Sequence, residues 1–338
     1  MGVDAVAATG TGGGAGAPEA RVLVASDLDK TLIYSSVSAQ PPSAVGSTGP
    51  RLRCVEVYRG SPLSYVTERA ARLLGELARE AELVPVTTRT LEQYERVRLP
   101  VPRPRYAVTT NGGRLIVDGE PDAGWEARVR RDAAACAPVG EVEAHLDAQR
   151  GYPWLLRRRT AEELFCYLVV ERGRVPAGWL DAVRAWAGER RWTVSMQGRK
   201  IYFVPEPVTK QAAVEEVRQR TGAAVVVAAG DSLLDAGMLE AADVGFRPGH
   251  GELAESGWTA PGVLPVEETG LIGGEELARR MLAAARVERA AAEAGGGEAE
   301  TRPLRMTELR NRLAAGSEGP AGAAGAAGPA GAAGSVGA

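Results

Sequence analysis

Short apolar runs recur along the chain and alternate with stretches whose apolar residues have helical spacing. The runs at 21–26, 83–87 and 224–231 predict strands, and 106–113 predicts a further strand that ends in a turn. The run at 224–231 is apolar throughout until its final Gly-Asp, which is typical of a parallel sheet covered on both faces. The alternation of strands with helices predicts an α/β fold with a Rossmann-like parallel sheet. Ligands bind such sheets at the carboxyl ends of the strands.

Two segments have the pattern of amphipathic helices. Segment 61–81 opens with Ser61 and Pro62, a favourable helix start, so we expect a helix over its whole length. Segment 210–222 opens at a lysine and closes with a glycine, a common helix end. The apolar residues predicted to share one face of the first helix are Leu63, Val66, Ala70, Leu73, Leu74 and Leu77.

An insert interrupts this alternation. The stretches "PWLLRRRT" and "LFCYLVVE" predict paired strands, and a helix follows them. "WTVSMQ" and "KIYFVP" then flank a Gly-Arg turn, which predicts a hairpin. We therefore expect an inserted α+β cap domain at 114–204, and a discontinuous core domain at 21–113 and 205–288.

Three further segments have the composition of loops or tails. Residues 1–20 are rich in Gly and Ala and predict a disordered N-terminal tail. Residues 289–338 predict a low-complexity Ala/Gly-rich tail, with a short helix near 303–314. Residues 35–50, rich in Ser, Pro and Gly, predict a loop between two strands; "LRCVEVY" at 52–58 predicts the second.

Composition excludes several classes of protein. The 338 residues carry a formal charge of -3, so the basic excess of a nucleic-acid-binding protein is missing and we expect no nucleic-acid partner. No apolar run approaches the roughly 18–20 residues that cross a bilayer, so we expect no membrane partner. We expect no signal peptide, since no basic region followed by an apolar run opens the sequence. The three cysteines are odd in number and widely spaced, which indicates thiols in a reducing cytoplasm. The oligomeric state stays open.

Carboxylates follow two of the predicted strands. Asp27 and Asp29 lie directly after the first strand and, since an extended chain repeats every two residues, point the same way. Asp231 follows the run at 224–229; if it opens a helix, Asp235 lies one turn later on the same face. Converging carboxylates would repel one another and raise the pKa of at least one of them. A divalent cation with oxygen ligands relieves that repulsion, and magnesium suits such a site.

Lysine is rare in this arginine-rich chain. The three lysines, Lys30, Lys200 and Lys210, indicate positions that require a compact ammonium group. Thr87 ends a predicted strand and offers a hydroxyl and a backbone N–H, while Lys210 offers a point charge at a helix start. With the carboxylates, these groups predict a phosphoryl-transfer site that has a nucleophile, an acid/base, a metal and donors for phosphate oxygens.

The ordered set "DLDKT", "VTT", a lysine at a helix start and "GDSLLD" resembles the haloacid dehalogenase (HAD) superfamily of phosphohydrolases, over roughly residues 21–285. An insert between the second and third motifs resembles the type-two B caps of the Cof-like, sucrose-phosphatase-like and trehalose-phosphate-phosphatase-like branches. "VTTNGG" is similar to those branches too. The sequence departs from the pattern at Lys30 and Thr88, where relatives often carry Gly.

The resemblance implies roles for individual residues. Asp27 would be the nucleophile that becomes an aspartyl-phosphate, and Asp29 would protonate the leaving oxygen and then activate water. Thr87 would bind the phosphate, and Lys210 would balance charge across nucleophile and phosphate. The implied magnesium ligands are Asp27, the backbone carbonyl of Asp29, and Asp231, with Asp235 in support.

The candidate substrate contacts each have a simpler alternative. Arg89 contacts the phosphate or only pairs with a carboxylate, and Asn111 lies near the cap hinge and substrate or only forms a turn. Lys200 contacts the non-phosphate part of the substrate or only lies in a solvated hairpin turn. The full set of candidates is Thr88, Arg89, Asn111, Gly112, Lys200, Arg157 and Arg159.

The sequence thus predicts a magnesium-dependent phosphatase acting on a small phosphorylated metabolite, with a sugar phosphate as the first expectation. A phosphomutase or phosphotransferase is one alternative, because the same aspartyl-phosphate can pass to another acceptor. A phosphometabolite-sensing binding protein with little turnover is another. Asp29 argues against the binding protein, because binding alone requires no acid/base.

Overall fold

A computed structural model describes residues 22–39, 49–148 and 151–293 of the chain. The predicted tail at 1–20 lies outside the described residues, as do the helix near 303–314 and the C-terminal tail beyond 293. Within the described ranges, no helix is long and apolar enough to cross a membrane.

The described residues form strands and helices in the following order. The strands are β1 (Val22–Ser26), β2 (Tyr34–Ser35), β3 (Leu52–Tyr58), β4 (Ser61–Thr67), β5 (Glu82–Pro85), β6 (Tyr106–Thr109), β7 (Arg114–Val117), β8 (Glu120–Pro121), β9 (Leu155–Ala161), β10 (Phe165–Val170), β11 (Trp192–Gln197), β12 (Lys200–Pro205), β13 (Val225–Ala229), β14 (Val244–Arg247) and β15 (Val263–Pro265). The helices are α1 (Glu68–Glu80), α2 (Leu91–Glu95), α3 (Ala123–Ala133), α4 (Val139–Asp147), α5 (Trp179–Gly188), α6 (Lys210–Thr221), α7 (Ala236–Ala241), α8 (Glu252–Glu255) and α9 (Gly270–Glu293).

A parallel sheet forms the centre of the fold. Its strand order is β15-β14-β13-β1-β5, and a single bridge from Val86 to Val108 continues it towards β6. Alternate residues of β1 face opposite layers, because the side-chain period of a strand is two. Val22 and Val24 pack in the cluster that contains α1 and α9, whereas Leu23 packs with α6 and α7. The predicted α/β class with a parallel sheet is confirmed.

A separate antiparallel sheet forms the cap. Its strand order is β11-β12-β10-β9, and α4 and α5 pack against it, which confirms the predicted α+β insert. The exact domain boundaries stay predictions. The first part of the insert, β7, β8 and α3, lies beside the core helix α6, where Arg128 pairs with Glu216 and Arg220 with Asp122.

The prediction of one helix over 61–81 is wrong in its first third. Residues 61–67 form β4, which pairs with β3 around a two-residue turn at Arg59 and Gly60, both with positive φ. The helix α1 begins only at Glu68, where the side chain of Thr67 accepts the N–H of Ala70 at 2.9 Å. The aromatic and β-branched residues before Thr67 favour a strand. The spacing of the apolar residues in this segment also fits a helix, so the spacing alone did not indicate the strand.

Candidate active site

Asp27 lies at the carboxyl end of β1, near the middle of the parallel sheet. Its N–H donates to the carbonyl of Ala229 at 2.9 Å, so β1 and β13 end side by side. The Asp27 side chain is buried, and its Oδ2 accepts the hydroxyl of Thr31 at 3.2 Å. The apolar strand thus brings a carboxylate into a position with little water around it.

Lys210 lies between two of the carboxylates. It is the first residue of α6, and its Nζ donates to Asp27 Oδ1 and to Asp235 Oδ1, each at 2.5 Å. Its side chain is 1% exposed, so these two contacts form away from solvent. A helix begins at Lys210 because the hydroxyl of Thr209 caps it, accepting the N–H of Ala212 at 3.1 Å.

Asp231 and Asp235 converge through a turn and not through a helix. The predicted placement of Asp235 was conditional on a helix start at Asp231, and that condition is not met, because α7 begins at Ala236, after a turn over 231–235. The Oδ2 of Asp235 accepts the N–H groups of Asp231 and Ser232 and the hydroxyl of Ser232. The hydrogen bonds to Oδ2 therefore stabilise the turn, and the other oxygen of Asp235, Oδ1, accepts the bond from Lys210.

Three buried carboxylates form a cluster that fits a divalent cation. Asp27, Asp231 and Asp235 each offer one oxygen, and these atoms lie within 4.8 Å of one another. Burial raises the pKa of Asp27 and of Asp231, and the neighbouring carboxylates raise both further. Lys210 supplies only one positive charge, and Asp231 Oδ2 is buried without a hydrogen-bond partner among the described residues. An ion with two positive charges would complete the charge balance and occupy that oxygen.

Asp29 does not belong to this cluster. Its carboxylate accepts two hydrogen bonds from Arg89, at 2.6 Å from Nε and 2.8 Å from Nη2. Its implied part in metal binding was through the backbone carbonyl and stays a prediction. Of the two alternatives for Arg89, the described residues show carboxylate pairing.

Glu56 holds the other side of the Arg89 guanidinium. Arg89 donates from Nη1 to Glu56 Oε1 at 2.9 Å and from Nη2 to Glu56 Oε2 at 3.0 Å. Ser64 on the paired strand donates to Glu56 Oε2 at 2.7 Å. Burial would raise the pKa of Asp29 and of Glu56, but the Arg89 guanidinium outweighs burial and holds each pKa below its ordinary value.

No sequence pattern indicates that Glu56 is buried. It lies in the β3–β4 hairpin, where "CVEVY" has the pattern of a strand with one polar residue, as on many exposed edges. Its side chain is nevertheless fully buried; the backbone of Glu56 forms a bridge to Val97, and the carboxylate pairs with Arg89. Its role as an acceptor for Arg89 becomes visible only in the structure, because the two residues are 33 positions apart in the chain.

The threonines after β5 are buried, and one expectation about them is wrong. The backbone N–H of Thr87, predicted to be free for a ligand, donates instead to the carbonyl of Val108 at 2.8 Å. The Thr87 hydroxyl accepts the N–H of Arg89 at 3.2 Å, and its own proton stays available for donation. The hydroxyl of Thr88 lies 3.4 Å from the hydroxyl of Tyr202 in the cap.

Asn111 and Gly112 lie against the chain segment that returns from the cap. Both have positive φ, at 56° and 97°, so the Asn-Gly pair does form a tight turn. Asn111 Nδ2 donates to the carbonyl of Val208 at 2.9 Å, and a Cβ at Gly112 would clash with the carbonyl of Thr209. Asn111 Oδ1 is buried without a partner among the described residues. This places Asn111 at the expected return point of the cap, while a substrate contact stays a prediction.

The cap sheet turns one face towards this site. From that face Gln197 donates to the hydroxyl of Ser232 at 2.9 Å, and Ser195 donates to Glu252 at 2.6 Å. At the other end of the sheet, Glu162 accepts the hydroxyl of Thr110 at 2.5 Å and the Nε of Arg114 at 2.6 Å. No sequence pattern singles out either glutamate.

The cap candidates lie on this same face. Lys200 stands with its Nζ over the rings of Tyr167 and Tyr202, at 5.4 and 5.8 Å from the ring centroids. In the strand register Arg159 is opposite Tyr167, and Arg157 is opposite the next residue of that face. Arg158 points to the opposite face and pairs with carboxylates of α4.

Comparison with solved structures finds the same architecture. The sucrose-phosphatase from Synechocystis sp. PCC6803, in complex with sucrose and phosphate, has a TM-score of 0.50 at 14% identity, covering 76% of this chain and 96% of its own. A protein from Thermoplasma acidophilum has a TM-score of 0.50 at 11% identity, covering 78% of this chain and 98% of its own. No protein-family model and no curated protein matches the sequence. The chain therefore shares the fold of these two proteins, a Rossmann-like core with an inserted α+β cap, which is the architecture that the sequence predicted.

Proposed function

We propose that this protein is a magnesium-dependent phosphatase that hydrolyses a small phosphorylated metabolite, such as a sugar phosphate, through an aspartyl-phosphate on Asp27. The observation that carries the proposal is the buried cluster of Asp27, Asp231 and Asp235 around Lys210, with Asp29 held just outside it. The likeness of fold to sucrose-phosphatase supports the substrate class.

In the first step the Asp27 carboxylate attacks phosphorus. The phosphorus bond to the ester oxygen breaks, a bond from phosphorus to an Asp27 oxygen forms, and the leaving oxygen takes a proton from Asp29. Lys210 and Thr31 each bind one oxygen of Asp27 and so fix the direction of attack. The Thr87 hydroxyl supplies a donor for a phosphate oxygen.

In the second step Asp29 takes a proton from water as the water oxygen attacks phosphorus, and the bond to Asp27 breaks. Arg89 favours the ionised form of Asp29, which is the form that accepts this proton. A phosphate dianion beside Asp29 acts in the opposite direction and favours the protonated form that the first step requires. Arg89 and the substrate thus bias Asp29 towards its two successive tasks.

Asp27, Asp231 and the carbonyl of Asp29 would hold magnesium, with Asp235 in support. The ion, when bound, supplies positive charge that offsets the carboxylates and the phosphate oxygens. Its fit rests on the unpartnered oxygen of Asp231 and on the excess of carboxylates over lysine.

The test is phosphate release from a panel of phosphorylated metabolites, with and without magnesium. We expect release that chelation abolishes and that Asp27→Asn lowers at least about a thousandfold, because an amide is a poor nucleophile. The matched control is Asp181→Asn in the cap, whose side chain is 84% exposed. Near-normal release by Asp27→Asn would overturn the mechanism. Transfer of the phosphoryl group to a sugar acceptor in place of water would support the phosphotransferase alternative.

A further inference from the structure

Two rows of side chains cross the face of the cap sheet that is turned to the core. Cross-strand partners of an antiparallel sheet share a face. The first row, read across the strands from β11 to β9, is Gln197, Lys200, Val169 and Arg157; the second is Ser195, Tyr202, Tyr167 and Arg159. The contacts of Gln197 with Ser232 and of Ser195 with Glu252 show that this face lies over the core.

Within the described part of the chain, the cations of these two rows lack carboxylate partners. No ion pair joins Lys200, Arg157 or Arg159 to any carboxylate among the described residues, and the two rows contain no acidic residue. In the part of the cap from β9 to β12, the arginines that pair with carboxylates are Arg158, Arg172, Arg174, Arg184, Arg190 and Arg191. Arg199 in the exposed turn also lacks an ion pair among the described residues, but Lys200, Arg157 and Arg159 are the unpaired cations that lie on the face above the site.

Spacing indicates what this charge can bind. Lys200 and Arg157 are two strands apart, or about 10 Å between backbones, with only the short side chain of Val169 between them. Both side chains are long enough to converge on one small group above Val169. Lys200 Nζ lies over the ring of Tyr202, whose hydroxyl is 3.4 Å from that of Thr88 at the core, so the group would lie near the predicted phosphate site.

The chemistry of the two rows favours an anion over a sugar hydroxyl. Hydroxyl groups are bound well by neutral donors and acceptors, whereas a carboxylate or phosphate gains most from cations. Tyr167 and Tyr202 give the adjoining carbon skeleton an aromatic wall. We propose that the substrate carries a second anionic group on its non-reacting part, and that Lys200 and Arg157 bind this group; the proposal rests on the phosphatase activity proposed above.

The test uses pairs of phosphate esters that differ in one anionic group. One pair is 3-phosphoglycerate and glycerol 3-phosphate, which differ by a carboxylate; the other is fructose 1,6-bisphosphate and fructose 6-phosphate, which differ by a phosphate. We expect kcat/KM to favour the doubly anionic member of at least one pair by about ten- to a hundredfold, the range of one charge-assisted hydrogen bond. Preference in the first pair alone would identify a carboxylate, and in the second alone a phosphate.

Variants link the preference to the two rows. Lys200→Met should remove most of the preference while changing kcat/KM for the singly anionic member less than about threefold. Arg199→Met is the matched control, because it removes the same charge from the neighbouring exposed position of the turn. Arg157→Gln, on an exposed strand position, serves as a second variant and should lower the preference in the same direction.

The outcomes separate this proposal from the proposed activity. Equal kcat/KM within both pairs, or equal effects of Lys200→Met and Arg199→Met, would overturn the anion site and leave the phosphatase intact. If none of the four compounds is hydrolysed, the affinity of the Asp27→Asn protein for each compound, measured by calorimetry, still tests the anion site. Tighter binding of a doubly anionic member, lost in the Lys200→Met background, would support the site, and equal affinities would overturn it.

Discussion

Glu56→Gln is the sharpest probe of the charge network behind Asp29. The Glu56 carboxylate accepts two hydrogen bonds from Arg89, one from Ser64 and a longer one of 3.4 Å from Arg96, and its side chain is fully buried. The substitution keeps the size and shape of the side chain but removes its charge. One oxygen acceptor becomes an amide N–H₂ group, which then faces a donor of Arg89 or the hydroxyl of Ser64.

The expected cost follows from these contacts. Removing one partner of a buried ion pair costs about 3–5 kcal/mol. Arg89 keeps its two hydrogen bonds to Asp29, and the new amide keeps one acceptor, so we expect a value near the lower end. For a chain of this size, a loss of about 3 kcal/mol lowers Tm by roughly 4–6 °C, because the entropy of unfolding is about 2.1 cal/mol/K per residue.

Urea unfolding of the wild type and of Glu56→Gln measures this cost directly. Glu68→Gln is the matched control, because Glu68 adjoins the same hairpin and pairs with Arg53 in an ion pair that is largely exposed. Exposed pairs contribute about 0.2–1 kcal/mol. We therefore expect the loss in Glu56→Gln to exceed the loss in Glu68→Gln by at least about 2 kcal/mol.

A result in which the two glutamine variants unfold within about 0.5 kcal/mol of each other would refute the reasoning, because surface substitutions commonly stay within that limit. It would mean that Arg89 is held by Asp29 alone and that the β3–β4 hairpin does not anchor it.

Two further predictions concern pH and the carboxylate cluster. Because the pKa of Glu56 is lower in the folded than in the unfolded chain, its contribution to stability is present above about pH 4.3 and is lost as the pH falls through the folded-state value. The difference between wild type and Glu56→Gln in urea should thus shrink on acidification from pH 7, and a constant difference down to about pH 3 would contradict this. Gly251→Ala should raise the magnesium concentration for half-maximal activity at least about tenfold, because a Cβ there would lie 2.5 Å from Asp231 Oδ2. Gly257→Ala, also at positive φ but with open space around it, should leave that concentration unchanged.

Local sequence patterns were sufficient for the elements that carry the proposed chemistry. The run at 21–26 forms β1 over Val22–Ser26, and 210–222 forms α6 with Gly222 as its left-handed end. Because the chain direction of parallel strands is shared, residues just after such strands meet at one edge of the sheet. Local pattern and chain order are therefore enough to bring Asp27, Asp231 and Lys210 together.

Local patterns were not sufficient where the same spacing of apolar residues fits both a helix and a strand. The apolar residues of 61–67 fit a helix face, but the Arg59–Gly60 turn and the pairing with β3 make this segment a strand. The helix boundary followed from the cap at Thr67, a signal that lay in the sequence but was outweighed by the Ser-Pro pair upstream.

The pairing of charges was decided only by the tertiary structure. Arg89 had two open alternatives, and it pairs with Asp29 and with Glu56, which are 60 and 33 residues away in the chain. Likewise Glu252 meets the cap residue Ser195 across 57 residues. The sequence by itself determined which residues follow which strands, because apolar period and chain order are local properties. It did not determine which charges are buried together, because that depends on how distant segments pack. The identity of a charged residue does not show whether its side chain is buried or exposed.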